Sequence, residues 1–158
     1  ELDYTTTSHV LESWEDLRRI KNYEEVVGTI LFQSLFKQSP QAKVLFGFPI
    51  GIDTDSQELL TSKRFLMHAA YLVQMFDTAL NMVGPDIELL TEIMLELGAK
   101  HVRYGVKPEM FPLMSVAIRD AIRVNLKERF TETVERAWVD LFDELSADMI
   151  RGMAQAKR

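Results

Sequence analysis

Histidine is the residue type in this chain best suited to metal or proton chemistry at neutral pH, and there are three: His9, His68 and His101. Cysteine is absent, which excludes disulfides, thiolate zinc sites, Cys-ligated iron–sulfur clusters and covalent porphyrin attachment through C-x-x-C-H. His68 and His101 both fall on apolar helical faces. Phe65, Ala69, Leu72, Phe76 and Leu80 recur at helical spacing, and His68 lies three residues after Phe65 and four before Leu72. Leu90, Met94, Leu97, His101 and Tyr104 form a second such series. His9 stands near an exposed first turn and reads as a surface residue.

An imidazole turned inward must satisfy its ring nitrogens. A backbone carbonyl or a water could do this, and so could a metal. Zinc lacks support, because no Cys, Asp or Glu flanks either histidine on the inward face and the H-E-x-x-H pattern is missing. The apolar inventory around them is Phe32, Phe46, Phe48, Phe65, Leu72, Leu97, Val106 and Phe111. A flat macrocycle carrying four nitrogen ligands of its own suits such surroundings and asks the protein only for axial ligands. Spacing alone does not choose between these readings.

The elements that must position the histidines read as helices. Pro40, Gly47, Pro49, Gly51, Gly84-Pro85, Gly105, Pro108 and Pro112 punctuate the chain, and period-2 runs of β-branched residues are missing. Ser8 is the expected N-cap of a first helix to Ile20, with Leu11, Trp14 and Leu17 on one face. A second helix is expected over Asn22 to Lys37, well buried along Val26, Val27, Ile30, Leu31, Leu35 and Phe36. A short piece follows from Ser39-Pro40 to Leu45, then a loop over Phe46 to Asp55. A long helix from Gln57 to Val83 carries His68. Pro85 suits the first turn of the next helix, which carries His101 and ends near Tyr104. Two more run from Pro108 to Lys127 and from Thr131 onward. The expectation is an all-α fold of about seven helical segments.

Length and composition agree with a globular chain. The 158 residues suggest one domain spanning 1–158, with 47% hydrophobic and 27% charged residues. A formal net charge of −6 gives no general attraction to phosphate backbones or anionic lipid, so nucleic acid and membrane are not expected partners. No apolar run reaches the roughly 18 residues that span a bilayer, no signal-peptide pattern opens the chain, and a cytoplasmic location is expected. Glu1 in place of Met suggests processing or excision from a longer chain. Arg119, Arg123 and Lys127 form a basic stripe that reads as a solvated helix face.

Taken in order, these segments resemble the globin family, and within it the neuroglobin-like and cytoglobin-like members more than the myoglobins. Gly28 stands twelve residues before Pro40, as globins space the small residue of their second helix and the proline of the following short one. Gly28 and Ala69 match a close crossing of two helices. Ser39 to Phe46 matches the globin short helix, with Phe46 at the haem-stacking phenylalanine. Arg64-Phe65-Leu66-Met67-His68 resembles the start of the distal helix. Leu97-Gly98-Ala99-Lys100-His101, with Gly105-Val106-Lys107 and Phe111, resembles the proximal segment. Trp138 to Phe142 and Ala147 to Met153 resemble the last helix.

The resemblance implies a globin fold around one haem pocket holding non-covalent haem b (iron protoporphyrin IX). His101 is then the proximal iron ligand, and Val106 and Phe111 pack on the haem. Phe32, His68 and Leu72 line the distal side, with Phe65 and Leu97 completing the cofactor pocket. His68 either donates a hydrogen bond to a bound diatomic gas or serves as a second iron ligand; likeness to neuroglobin favours the second. The implied partners are O2, CO or NO. The expected acceptor for the other ring N–H of His101 is the carbonyl of Leu97, one turn back; a neutral acceptor there does not favour peroxidase chemistry. The chain departs from the family at Tyr71, where globins often carry Lys, Arg or Thr. Tyr71 lies along the haem edge or turns inward to the ligand, and Lys63, Arg64, Lys100 and Arg103 are the alternative partners for a propionate. Reversible gas binding or oxygen transport is the first expected function. A gas-sensor module of a larger protein is an alternative, as is NO dioxygenation or nitrite reduction. Enzymatic turnover would need a separate reductase, since no G-x-G-x-x-G motif is present.

Overall fold

The computed structural model describes residues 2–157. Helices are the only regular elements among them: α1 (Tyr4–Arg18), α2 (Tyr23–Gln38), α3 (Ala42–Leu45), α4 (Gln57–Leu60), α5 (Lys63–Met82), α6 (Ile87–Arg103), α7 (Phe111–Leu126) and α8 (Glu132–Ala156). Short 3-10 turns precede and follow α7, at Pro108–Met110 and Lys127–Arg129.

Local chemistry sets the boundaries, and in three places it differs from the expectation. Asp3 rather than Ser8 caps α1, its Oδ1 accepting the Thr6 N–H at 2.7 Å. A carboxylate at the cap satisfies an orphan donor and suits the positive end of the helix, so α1 begins before Ser8. The expected long helix from Gln57 divides into α4 and α5. Two serines cause the division: Ser56 Oγ accepts the Leu59 N–H at 3.2 Å and Ser62 Oγ the Phe65 N–H at 3.4 Å. Each opens a fresh helix, giving eight helices where seven segments were expected. Pro85 lies in the turn between α5 and α6, where Gly84 takes a φ of +104°, and Asp86 precedes α6. Thr131 caps α8 by accepting the Val134 N–H at 3.3 Å.

Packing follows from the apolar faces. α2 crosses both α5 and α7, α6 lies along α8, and α1 rests on α8. Val27, Leu31, Phe32, Leu59, Phe65, Ala69, Val73, Ile118, Ile122 and Trp138 are at most 1% exposed and belong to one core. Each large side chain so buried contributes about 1.5–3 kcal/mol relative to exposure. Trp138 keeps its indole N–H satisfied inside this core by donating to Ser13 Oγ at 2.8 Å. Trp14 does the same toward α5, donating to Asp77 Oδ1 at 2.8 Å.

Two crossings depend on glycine. A β-carbon on Gly28 would sit 2.7 Å from the carbonyl carbon of Ala69 and 2.8 Å from its Cβ, so α2 and α5 touch through their backbones. The α6–α8 contact is reciprocal. A β-carbon on Gly98 would lie 2.7 Å from the carbonyl carbon of Met149, and one on Gly152 2.8 Å from that of Leu95. Each helix presents a glycine to the main chain of the other.

The basic stripe on α7 is largely consumed by packing. Arg119 pairs with Glu135 at 3.4 Å, and Arg123 bridges Asp120 at 2.9 Å and the same Glu135, tying α7 to the first turns of α8. His9 lies in the second turn of α1, half-buried, where its carbonyl accepts the Ser13 hydroxyl.

Candidate functional site

α5 and α6 carry the two informative histidines, and each is set by its helix in a different way. On α6, His101 is half-buried one turn after Leu97. Its Nδ1 lies 2.7 Å from the Leu97 carbonyl oxygen. A carbonyl can only accept, so Nδ1 carries the proton and the neutral ring leaves Nε2 unprotonated, as a metal ligand requires. The main-chain carbonyl of His101 also accepts the amides of Tyr104 and Val106, each at 3.1 Å. That double acceptance ends α6 and turns the chain through Gly105. The rings of Tyr104 and Phe111 flank the imidazole at centroid distances of 5.7 and 6.0 Å.

On α5, His68 sits beside the Gly28–Ala69 crossing, half-buried against aromatic rings. Phe46 meets it edge-on at 5.4 Å and Phe48 at 6.3 Å. Phe32 joins the same group, touching Phe46 at 4.8 Å and Phe65 at 6.1 Å. The ring nitrogens of His68 bond to no described residue.

The expected site residues thus fall into two groups. Phe32, Phe46, Phe65 and His68 form one through ring contacts, and Leu97, His101 and Phe111 the other. Leu72, Leu97 and Phe46 are half-buried apolar side chains resting on the common core, and Val106 is also half-buried. The turn after α6 lies beside α3: the position of a β-carbon on Gly105 is 3.7 Å from Leu45 Cδ2. Tyr71 is 64% exposed, so its ring points away from the core. Arg64 is turned toward the loop after α3, donating to the Gly47 carbonyl at 3.2 Å. Lys63, Lys100 and Arg103 are exposed and form no ion pair with a described residue.

These residues fit a haem better than a bare ion. Among the described residues no three His, Asp or Glu side chains converge as around a metal. A metal here must bring most of its ligands with it, as porphyrin iron does. The second ring nitrogen of His101 would be available as a ligand to such a group, and the half-buried apolar side chains offer faces to a flat, apolar one.

Four positions escaped the sequence reading. Phe48 appears there only as part of the apolar inventory, yet its ring touches His68. The pair Gly98 and Gly152, which sets the depth of α6, is signalled only by glycine inside helical patterns, a costly placement that usually has a packing reason. Lys43, buried to 7% exposure, carries no sequence signal at all.

The all-helical fold, with one informative histidine on each of α5 and α6, agrees with comparison to known proteins. The globin family model matches residues 29–149, and the chain belongs to the globin family. Among its relatives are the neuroglobin of Tetraodon nigroviridis, 29% identical over 143 residues covering 90% of this chain and 87% of the relative, and that of Danio rerio, 28% identical over 146 residues covering 92% and 89%. Solved structures share the fold. A hexacoordinated haem protein from an anhydrobiotic tardigrade superposes with a TM-score of 0.84 at 20% identity, covering 97% of this chain and 96% of the other. A Drosophila melanogaster globin superposes with a TM-score of 0.79 at 20% identity, covering 95% and 94%. No helix among the described residues is long and apolar enough to cross a membrane.

Proposed function

We propose that this globin holds haem b non-covalently between α5 and α6 and reversibly binds a diatomic gas, O2, CO or NO, with His101 as the proximal ligand and His68 as a displaceable sixth ligand. The observation that carries the reading is the bond from His101 Nδ1 to the Leu97 carbonyl. It fixes the tautomer, aims Nε2 and holds the imidazole against rotation before any ligand arrives. Bound haem would supply the iron centre at which a diatomic gas is exchanged.

The chain's own residues do the rest. Val106 and Phe111 pack on the proximal face. Phe46, Phe65 and Leu72 cover the distal face and exclude water. His68, whose ring nitrogens bond to no described residue, is free to ligate or to donate to the gas that replaces it. Hexacoordination is the state named for the tardigrade relative in fold and for a hexacoordinate haemoglobin of Drosophila melanogaster, whose TM-score is 0.80 at 20% identity over 94% of this chain and 93% of that one. Likeness to the neuroglobins supports the same reading.

The test is the visible absorption of the purified ferrous protein. A split, low-spin band pattern that carbon monoxide replaces is the expected result, together with loss of haem from His101→Ala. A broad high-spin spectrum would remove His68 as a ligand. An alanine variant that keeps its full haem content would remove His101.

A further inference from the structure

Lys43 is the most unusual side chain near the distal wall. It is buried, and it forms no ion pair with a described residue. Its Nζ donates to the Ile52 carbonyl at 2.7 Å and to the Ile50 carbonyl at 3.0 Å. Burying an ammonium is costly unless hydrogen bonds compensate, and an apolar side chain would serve if filling space were the only need. The same residue's main-chain carbonyl accepts the Phe48 amide at 3.0 Å and the Phe46 amide at 3.2 Å. One residue therefore holds the following segment at four points, two from each end of itself.

We propose that Lys43 is a positioning residue for His68: it fixes segment 46–52, and through the rings of Phe46 and Phe48 it sets the freedom of the distal imidazole. The far end of the loop is held separately. Gln33 donates to the Thr54 carbonyl at 3.2 Å, and Lys37 pairs with Asp55 at 3.2 Å. Neither of these touches a ring beside His68. Arg64 holds one further point of the stretch, the Gly47 carbonyl, at 3.2 Å, but Lys43 is the residue that ties Phe46 and Phe48 at one end and Ile50 and Ile52 at the other. Without its ammonium, the Ile50 and Ile52 carbonyls lose their charged donor and the aromatic wall gains room to move.

The inference rests on His68 being the distal ligand proposed above, and two readouts keep the ideas separable. Lys43→Arg keeps a charged donor for these carbonyls, Lys43→Gln offers only a shorter, neutral amide, and Lys43→Met has no donor. Amide hydrogen exchange at Phe46, Phe48 and Ile52 should be near native in the Arg variant, faster in Gln and fastest in Met. This ordering survives if the Met variant fails to fold. In the haem-loaded protein, the rate at which carbon monoxide displaces His68 should follow the same order, rising roughly tenfold in the Met variant or, should that fail to fold, severalfold in Gln, the scale expected for losing charge-assisted hydrogen bonds. Lys37→Met, which loosens only the far end of the loop, should leave that rate unchanged. Unchanged exchange refutes the clamp. Faster exchange without a change in displacement refutes the positioning role, and an equal effect of Lys37→Met refutes its assignment to Lys43. A native protein that takes up no haem refutes the proposed function, while the exchange series still judges the clamp.

Discussion

Replacing glycine by alanine inside a helix normally stabilises it by about 1 kcal/mol. At Gly98 the sign should reverse. The added carbon would meet Met149 at 2.7 Å from its carbonyl carbon and 2.9 Å from its Cα, whereas carbon atoms rest comfortably at about 3.5–4.0 Å. The obstacle is main chain, which cannot rotate away, so α6 and α8 must separate by roughly 0.5–1 Å, enough to forfeit a quarter to a half of each dispersion contact along the seam. Overpacking of this kind costs about 1–3 kcal/mol. Because both obstructing atoms are backbone, we take the upper end, about 3 kcal/mol. Subtracting the helix-propensity gain of about 1 kcal/mol leaves a net loss near ~2 kcal/mol for Gly98→Ala. Unfolding entropy for 158 residues is about 0.33 kcal/mol per kelvin, so the Tm should fall by about 6 °C. Gly152→Ala should cost a similar amount, since its β-carbon meets Leu95 in the same way. The double variant decides the matter. Once one alanine has opened the seam, the second finds room, so the combined loss should be about 8 °C rather than the additive figure near ~12 °C. Thermal unfolding followed by far-ultraviolet circular dichroism, with all variants in one ligation state, measures this. A rise in Tm for either single variant, or strict additivity in the double, would refute the reciprocal contact.

Two further outcomes follow from local strain and charge. Lys127 ends α7 at φ 55°, ψ −123°, a region that L-residues avoid at a cost of about 1–3 kcal/mol, so Lys127→Gly should raise stability in urea by about 1 kcal/mol after the added chain entropy of glycine; a loss of stability would contradict the strain. Burial, with Asp77 and Glu24 adding to it, pushes the Tyr23 hydroxyl above its ordinary pKa of 10.0, against the lowering effect of Arg18. The folded chain therefore holds this proton more tightly than the unfolded one. Its contribution is complete below about pH 10 and fades as pH rises through the raised value; Tyr23→Phe should flatten the fall of Tm above pH 10, and an unchanged slope would show that Tyr23 does not contribute.

What the sequence made legible was local. The order of helices, the break at Gly84-Pro85, the cap at Thr131 and the bond between His101 and Leu97 all depend on residues within a turn or so of each other. Apolar periodicity was less safe as a guide to boundaries. It runs unbroken through Ser62 and so hid the division between α4 and α5, and Ser8 was read as the first cap where the structure uses Asp3. The side-chain direction of Tyr71 was open from spacing, because a residue at the edge of an apolar face can turn either way; the structure turns it outward. Of the contacts between separate segments, the Gly28–Ala69 crossing was legible through the family resemblance, but others were not. Nothing near Lys43 announces that Ile50 and Ile52 will bend their carbonyls back to it. The mutual seating of Gly98 and Gly152 needs two helices more than fifty residues apart, and the Arg119–Glu135 link needs α8 in place before a surface stripe becomes a joint.

That seating bears on how the molecule is assembled during synthesis. α6 has no glycine-to-backbone partner until the stretch around Met149 and Gly152, some fifty residues later, has left the ribosome. The pocket's distal half, built from α2, α3 and α5, lies entirely within the first 82 residues and can associate much earlier. A nascent chain stalled before α8 should therefore hold His68 and its aromatic neighbours in place while α6 and His101 are still unanchored, so any group held between the two histidines should be gripped firmly only once α8 has emerged.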